Sequence, residues 1–483
     1  MKPLHQYYRL VMKSWIAFLI LIGNSCHASF FVDISEKIEL NVPRLSYGVA
    51  VSDVDRDGFF EFIVTGFKYP NLALKYQSGM LRRLPMPDVF SDPTRSTIGV
   101  AACDFNNDGM EEIYFLNTDT FSGKTVYSDR MLSLGSEVND LFELEKNIAY
   151  LNYTAGRSVV CVDRKGEGSY GFYVANYGGP TRFYENNSGF ITDIAPELGL
   201  DKITGGRAVV SGHILTDHSD IFAANERGPN FLYGNVRGVF SDQAIEYNVT
   251  DTLQNGRGTA LSDVNYNGQL DIVLGNWNGF HRIFLKQNLS FLDVSPKNFR
   301  HPTKIRTVIS ADFDNDGFDE IFLNNIGQPN KLFKVIDENQ IEEIVLDAAL
   351  EQAGLGTGAA VADIDNDGVL ELLIAHGESA PEVLSLYKAA TKPGSRYVRI
   401  EPKNLHGAPA RGATVILHTN IRNHAKTIDA GSGYLCQMEP VAHFGLRNNE
   451  IVKNVSIKWT NGEKEILEIP KLNNHYIFFQ SDR

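Results

Sequence analysis

The chain has 483 residues, of which 43% are hydrophobic and 22% charged, and its formal net charge is −14 at pH 7. That length gives room for one large domain and a small second one. The acidity argues against a nucleic-acid partner, which would require a basic surface.

Taken in chain order, residues 1–28 read as a signal peptide. Lys2, Arg9 and Lys13 form a basic start, Trp15 to Ile22 an apolar core, and Cys26-His27-Ala28 a cleavage site. The apolar run falls short of the roughly 20 residues a spanning helix needs. No later segment reads as transmembrane, and no C-terminal apolar tail points to a lipid anchor. The expectation is a secreted protein, free in the extracellular space or matrix and not inserted in a membrane. Five sequons agree with that compartment, with acceptors Asn152, Asn186, Asn248, Asn288 and Asn454. Cleavage leaves three cysteines, Cys103, Cys161 and Cys436. The first two stand at equivalent points of adjacent repeats, which makes a disulfide between them plausible. Cys436 is then either a buried apolar residue or an intermolecular link.

Five segments repeat one acidic pattern with oxygen side chains at positions one, three, five and nine. They are Asp53, Asp55, Asp57 and Glu61; Asp104, Asn106, Asp108 and Glu112; Asp263, Asn265, Asn267 and Asp271; Asp312, Asp314, Asp316 and Glu320; and Asp363, Asp365, Asp367 and Glu371. Position six is always Gly, which permits a sharp turn. Position seven (Phe59, Met110, Gln269, Phe318 or Val369) can offer its carbonyl. This is the ligand set of a hard cation, and Ca²⁺ is its natural occupant. An EF-hand needs a bidentate Glu at position twelve, where this chain has Val64, Phe115, Leu274, Leu323 and Ile374. Short β-branched or aromatic runs flank each loop, so each cage is expected to close a β-hairpin. An ordinary polar turn built from Asp, Asn and Gly is the plainer alternative, weakest for the loops with three or more carboxylates. The five cages hold seventeen carboxylates, and five Ca²⁺ would bring the formal charge from −14 to about −4.

A marker residue follows each second strand: Gly66, Asn117, Asn176, Asn225, Asn276, Asn325 and His376, at spacings of 49 to 59 residues. Repeats of about 50 residues with four short strands each predict an all-β, seven-bladed β-propeller over residues 29–392. The third and fourth units keep the frame but lose the cage, with Gly171 and Gly212 at ligand positions. Outer strands read Phe190-Ile-Thr-Asp193-Ile194 and Phe291-Leu-Asp293-Val294. The seventh unit lacks one, and the missing phrase stands at Phe31-Val-Asp33-Ile34. The N-terminal strand is therefore expected to complete the last blade and remove an open sheet edge.

Past residue 392 the acidic repeat stops. Residues 393–483 read as a small β-rich domain with strands near Tyr397, Ala413, Val455, Glu465 and Tyr476. Between them lies Gly431-Ser-Gly-Tyr434-Leu-Cys436-Gln-Met-Glu-Pro440-Val-Ala-His443-Phe444-Gly445-Leu446, which closely resembles the ASPIC/UnbV signature. The preceding repeats resemble FG-GAP/VCBS units, also found in integrin α-subunits. The pairing in this order resembles the cartilage acidic protein family. That resemblance implies a secreted glycoprotein of animal extracellular matrix and nervous tissue, beside the calcium binding read from the acidic loops. Longer vertebrate members carry a C-terminal EGF-like module, and nothing assigned to that module is carried over.

The inner strands of units three to six begin with Arg157, Arg207, Arg257 and Arg306, five or six residues ahead of loop position one. They are expected near the propeller axis on the face opposite the cages, beside Tyr177, Glu226, Trp277, His281 and Arg282. Arg and aromatic residues are frequent interface anchors. Either this face binds an acidic protein or glycan, or the arginines pair with Asp and Glu of neighbouring blades and only build the propeller. The expected function is a non-enzymatic, calcium-dependent binding module at the cell surface or in the matrix, with adhesion as one such role. The alternatives are a purely architectural matrix component and a propeller-based lyase or hydrolase. No hydrolase or metalloprotease motif is present. His443 near Glu439 is the sole acid/base candidate, and its apolar setting suits a structural histidine better.

Overall fold

The computed structural model describes residues 29–481 apart from Ser136, Leu289 and Pro470. The proposed signal peptide lies outside the described residues.

The chain is all-β and forms a propeller followed by a smaller β domain. Among the described residues, seven four-stranded antiparallel meanders follow one another. Their innermost strands are Ser46–Ser52, Thr97–Cys103, Gly156–Val162, Ile203–Gly212, Gly256–Ser262, Ile305–Ala311 and Gly356–Ala362. Each neighbours the next, and the last returns to the first, so the ring closes. The third and fourth meanders are also joined by backbone pairing, Tyr177 with Gly205 and Pro180 with Ile203. The N-terminal strand Phe31–Asp33 completes the last blade, pairing antiparallel with Ser385–Ala389, as the displaced outer-strand phrase implied. Phe31 anchors it: the side chain is fully buried, and its ring meets that of Phe313 in the preceding blade edge-on at 5.2 Å.

The second strands are uninterrupted apolar runs because each blade is covered on both faces by its neighbours. Glu320–Asn325 and Glu371–His376 are buried at every residue. The marker asparagine at the end of these strands closes the following loop. Its Nδ2 donates to the carbonyl of Pro180, Pro229, Phe280 or Pro329 four residues on, each at 2.7 Å.

The second domain has two sheets. Arg396–Lys403 lies between antiparallel Ala442–Leu446 and parallel His475–Phe479. Thr414–Thr419 lies between Asn423–Thr427 and Val452–Lys458, with Lys464–Leu467 outermost. Val398, Ile400, Val415, Leu417, Phe444, Ile457 and Trp459 form its core. The strand Asn423–Thr427 has no apolar alternation in its sequence and is set by pairing alone.

Residues 429–439 leave this domain and fill the propeller axis. Ala430 accepts from the Cys161 N–H, Gly433 exchanges two 2.7 Å bonds with Thr259, and Gln437 exchanges two with Val49 and Val51. The Gln437 side-chain amide closes on Ala102 through both its oxygen and its nitrogen. A plug of this kind leaves few backbone groups unsatisfied in the channel. Gly433 sits at φ +68°, and a Cβ there would come within 2.6 Å of Thr307 Cγ2.

Candidate metal centres and an axial cleft

The five acidic loops share one geometry. Gly58, Gly109, Gly268, Gly317 and Gly368 have φ between +83° and +87°, the region the sharp turn requires. The first carboxylate accepts the N–H groups of positions five and six, as Asp53 does from Asp57 and Gly58 at 3.1 and 2.9 Å. The fifth side chain accepts from position seven, so Phe59, Met110, Gln269, Phe318 and Val369 are all held by their N–H groups. One oxygen of the ninth-position carboxylate accepts the second-position N–H at 2.9–3.0 Å in every loop. These bonds use one oxygen of the ninth residue and leave the other for a further partner, which in the Asp263 loop is the Lys286 N–H on Asp271 Oδ1.

That second oxygen is the test of fit for a cation. Glu61 Oε1 and Glu320 Oε1 are buried without a hydrogen-bond partner, as is the third-position Asn265 Oδ1, and Glu371 Oε1 meets the Lys388 ammonium. In three loops, three carboxylate oxygens lie within 4.8 Å of one another: Asp53, Asp55 and Asp57; Asp312, Asp314 and Asp316; and Asp363, Asp365 and Glu371. A lysine from the third strand of the same blade reaches each of these. Lys75 lies 2.6 Å from Asp55 and 3.4 Å from Glu61, Lys388 2.5 Å from Glu371, and Lys334 contacts Asp316. One ammonium against four carboxylates leaves a large negative excess. Burial pushes Glu61 and Glu371 up to about 8. The second loop differs: Asn106 turns its Nδ2 onto Asp108 and Glu112 at 3.1 and 2.7 Å. In the loop of the fifth blade, burial pushes Asp263 up to about 8 and Asp271 up to about 7. The donor set of oxygens only, with orphaned buried acceptors, suits a hard divalent cation.

The third and fourth blades lack the cage, with a correction to the register. Val162 pairs with Gly171, so Asp163 keeps the first position and Gly171 the ninth. In the fourth blade Gly212 pairs with Asp220. This loop is one residue shorter, so His213, not Gly212, takes the first position. Asp163 and His213 are both turned to the second domain: Thr460 donates to Asp163 at 2.6 Å, and His213 bonds Thr414 at 2.8 Å.

The second domain sits on the cage face. Ala425 N–H donates to Asp263 at 2.8 Å, Arg399 lies 3.3 Å from Asp363, and Arg411 forms a two-point pair with Glu111. A Cβ at Gly445 would come 2.1 Å from Asp312 Oδ2, whereas one at Gly58 would meet nothing. The cage of the first blade is therefore open and that of the sixth blade is covered. His443 and Glu439 belong to this interface. Both contact Arg399, and His443 Nε2 bonds Asn315 at 2.6 Å. Burial and Arg399 hold the His443 imidazole well below its usual range, which suits a fixed structural role.

On the opposite face the structure brings Arg157, Arg207, Arg257, Arg306 and Trp277 to one cleft of about 450 Å³. The means is a repeated irregularity. Each inner strand slips register at the residue that lines the axis: Tyr47, Ile98, Arg157, Arg207, Arg257 and Arg306 stand in the bulges of the first six blades. A bulge re-aims a side chain out of the sheet's alternation. The plug supplies the floor, Tyr434. Arg207 and Arg257 share Glu226, and Arg306 pairs with Glu378. Arg157 has only neutral acceptors: Thr118 Oγ1 and the Gly156 and Phe121 carbonyls. Trp277 lies 4.8 Å from the Arg257 guanidinium and 4.6 Å from that of Arg306. Burial draws Arg157 and Arg257 down to about 10. Burial pushes the Tyr434 phenol up, but the four arginines outweigh it and bring it down to about 7. Of the other residues placed on this face, Tyr177 lies 4.4 Å from the Arg207 guanidinium. His281 is fully buried away from the cleft, and Arg282 pairs with Asp251 and Asp293. Tyr434 had no signal in the sequence beyond its place in a glycine-flanked segment.

Cys103 and Cys161 form a disulfide between the second and third blades, with Cα atoms 6.2 Å apart, and Cys436 is a buried free thiol in the plug. Among the sequons, Asn248 and Asn288 are exposed and Asn186 and Asn454 are half-buried. Asn152 is a correction: it is 0% exposed, and its Nδ2 donates to Asp129 and Asn176. The fold leaves no space for a glycan there.

The family model "ASPIC and UnbV" matches residues 403–483 and "FG-GAP-like repeat" matches residues 263–323. Solved structures with a similar course include BBS1N in complex with ARL6DN, 10% identical at a TM-score of 0.46 over 75% of this chain and 98% of that one. Cartilage acidic protein 1 of Xenopus tropicalis is 44% identical over 463 residues, covering 88% of this chain and 71% of the relative. The Homo sapiens protein of that name is also 44% identical, covering 88% and 70%. At that identity and coverage, the chain belongs to the cartilage acidic protein 1 family.

Proposed function

We propose that the chain is a secreted, calcium-binding glycoprotein of the extracellular matrix or cell surface that acts as a non-enzymatic binding module. The observation that carries this reading is the arginine cleft. Four buried guanidinium groups are aimed at one axis by bulges, beside Trp277 and Tyr434, and face away from the cages and the second domain. Buried cations are costly unless paired, and Arg157 has no carboxylate partner; Arg with aromatic neighbours is the usual make-up of a binding hot spot. Ca²⁺ in the five cages organises the opposite face. When bound it neutralises the carboxylates that Asp53, Asp104, Asp263, Asp312 and Asp363 begin, and so fixes the hairpins on which the second domain rests. The acidic partner is a protein or glycan outside the cell.

A second reading has one observation in its favour. Arg207 and Arg257 already pair with Glu226, and Arg306 with Glu378, which suits arginines that only build the propeller in an architectural matrix component. The deciding experiment is binding of the purified 29–483 protein to cells and to deposited matrix, with Ca²⁺ and with EDTA, alongside thermal unfolding. Saturable binding lost in EDTA supports the module. Self-association or bulk retention without saturation supports the architectural role.

A further inference from the structure

The cleft is more specific than a basic patch. Its lining carries four arginines against Glu226, Glu378 and Asp119, an excess of one positive charge. Asp119 is engaged by its own loop, accepting the Val126 and Tyr127 N–H groups. The Nε–H groups of Arg157, Arg257 and Arg306 are buried without an acceptor. Among the described residues, the Nη1 groups of Arg207, Arg257 and Arg306 also make no hydrogen bond, since each arginine meets its glutamate through other nitrogens. The cleft thus presents the Nη1 edges of Arg207, Arg257 and Arg306, with one charge unmatched.

Size narrows the ligand. A cleft of about 450 Å³ falls in the range of small-molecule sites, roughly 300–1,000 Å³. One Asp or Glu side chain of a docked protein would leave most of it unfilled. Phe121 and Trp277, which line the cleft, supply flat apolar surface around the guanidinium groups. A ring with one carboxylate meets both demands: the carboxylate takes the guanidinium forks, and the ring packs on the aromatic walls.

Resting on the binding reading above, we infer that the cleft is a site for an acidic sugar, a ring bearing a carboxylate, seated between Arg157, Arg257, Arg306 and Trp277 with its charge above the Tyr434 hydroxyl. Tyr434 adds a pH response. The ionisable groups that face it are Arg157, Arg207, Arg257 and Arg306 from the inner strands, Tyr47 from the first blade, and Glu226 and Glu378 from the loops. Below about pH 7 its phenol is neutral and the excess charge is free for the ligand. Above that, phenolate cancels the excess and the carboxylate must displace it.

The test is calorimetric titration of the full mature protein in Ca²⁺ with four probes: glucuronate, a hexuronate disaccharide, that disaccharide's methyl ester, and an Asp/Glu-rich peptide. The expected result is binding of the free-acid sugars, with the methyl ester weaker by about tenfold or more. Affinity should fall about tenfold from pH 6 to pH 8, the loss set by a phenol near 7. Arg157→Gln should weaken binding while leaving both glutamates paired. Tyr434→Phe keeps the shape and should flatten the pH dependence. Equal binding of acid and ester overturns the inference, as does binding of the peptide alone. Failure of every small probe while Ca²⁺-dependent binding to cells persists overturns the inference and leaves the binding reading standing.

Discussion

Arg411 of the second domain and Glu111 of the second blade, 300 positions apart, form a buried two-point ion pair. Nε meets Oε1 at 2.8 Å and Nη2 meets Oε2 at 3.2 Å. Arg411 is 0% exposed, and its remaining donors reach the Asp429, Met438 and Val51 carbonyls. All its nitrogens are therefore engaged, and one side chain ties together the propeller, the second domain and the base of the plug.

Removing one partner of such a pair strands a buried charge, at a cost of about 3–5 kcal/mol. Arg411→Met is expected to destabilise the protein by that order in chemical denaturation. Adding Glu111→Gln should recover much of the loss, because the stranded carboxylate is then neutral. A single variant as stable as wild type would show that the domains do not depend on this contact.

Metal dependence should differ between cages. A site filled at 100 times its Kd adds about 2.7 kcal/mol. Asp53 belongs to a loop with nothing over Gly58, whereas Asp312 lies beneath Gly445. Asp312→Ala should therefore lower the Ca²⁺-loaded melting temperature more than Asp53→Ala, because it disturbs the domain interface as well as the ion. Differential scanning fluorimetry with Ca²⁺ and with EDTA gives the ranking. Equal shifts would mean that the covered cage is not coupled to the second domain.

Acid should weaken the fold through His281. Burial pulls its imidazole down to about 3, and its Nδ1 accepts the Asn276 N–H at 3.0 Å, which requires it unprotonated. The unfolded chain takes up the proton below about 6.5 and the folded chain does not. Stability from this residue is thus unaffected above pH 6.5 and is lost as pH falls from there towards 3, by about 2 kcal/mol at pH 5. Equivalent positions in other blades hold Asn71, Asn230 and Asn330, whose Oδ1 accepts the same N–H. His281→Asn should keep the bond and remove the acid penalty. Denaturation midpoints at pH 7.5 and 5 that shift equally in both proteins would exclude it.

Glycan mapping separates the sequons. Asn248→Gln and Asn288→Gln should each lower the mass of protein secreted from animal cells by one glycan. Asn152→Gln should leave the mass unchanged and lower the melting temperature, because Asn152 bonds the buried Asp129. A glycan found on Asn152 would contradict the packing of that loop.

Much of this protein is legible in sequence order because its information is local and repeated. A cage is nine consecutive residues whose carboxylates and glycine define one turn, so Asp312 to Glu320 announces its geometry without the rest of the chain. The marker asparagines Asn176, Asn225, Asn276 and Asn325 work the same way, each closing a loop on a carbonyl four residues on. The N-terminal strand was readable too, since Phe31-Val-Asp33-Ile34 supplies the one phrase missing from the last repeat. The arginines stand six residues ahead of the first loop position in each of four successive blades, including the third and fourth, which lack a cage. Their aim at a common axis came from bulges, which leave no mark on residue identity.

Tertiary structure alone decided the rest. Burial of Asn152, the shortened fourth loop that moves His213 into the first ligand position, and the strand Asn423–Thr427 are fixed by packing and strand pairing, not by residue pattern. So is the plug. Gly431 to Gln437 carries no periodicity that predicts a strand or helix. Its conformation is fixed by bonds to Val49, Ala102, Cys161 and Thr259 on separate blades. Tyr434 became the floor of the arginine cleft only because a second domain on the cage face threads a loop through the axis to the other side. Contacts across hundreds of residues are set by packing and by the need to satisfy buried polar groups, and no local pattern encodes them.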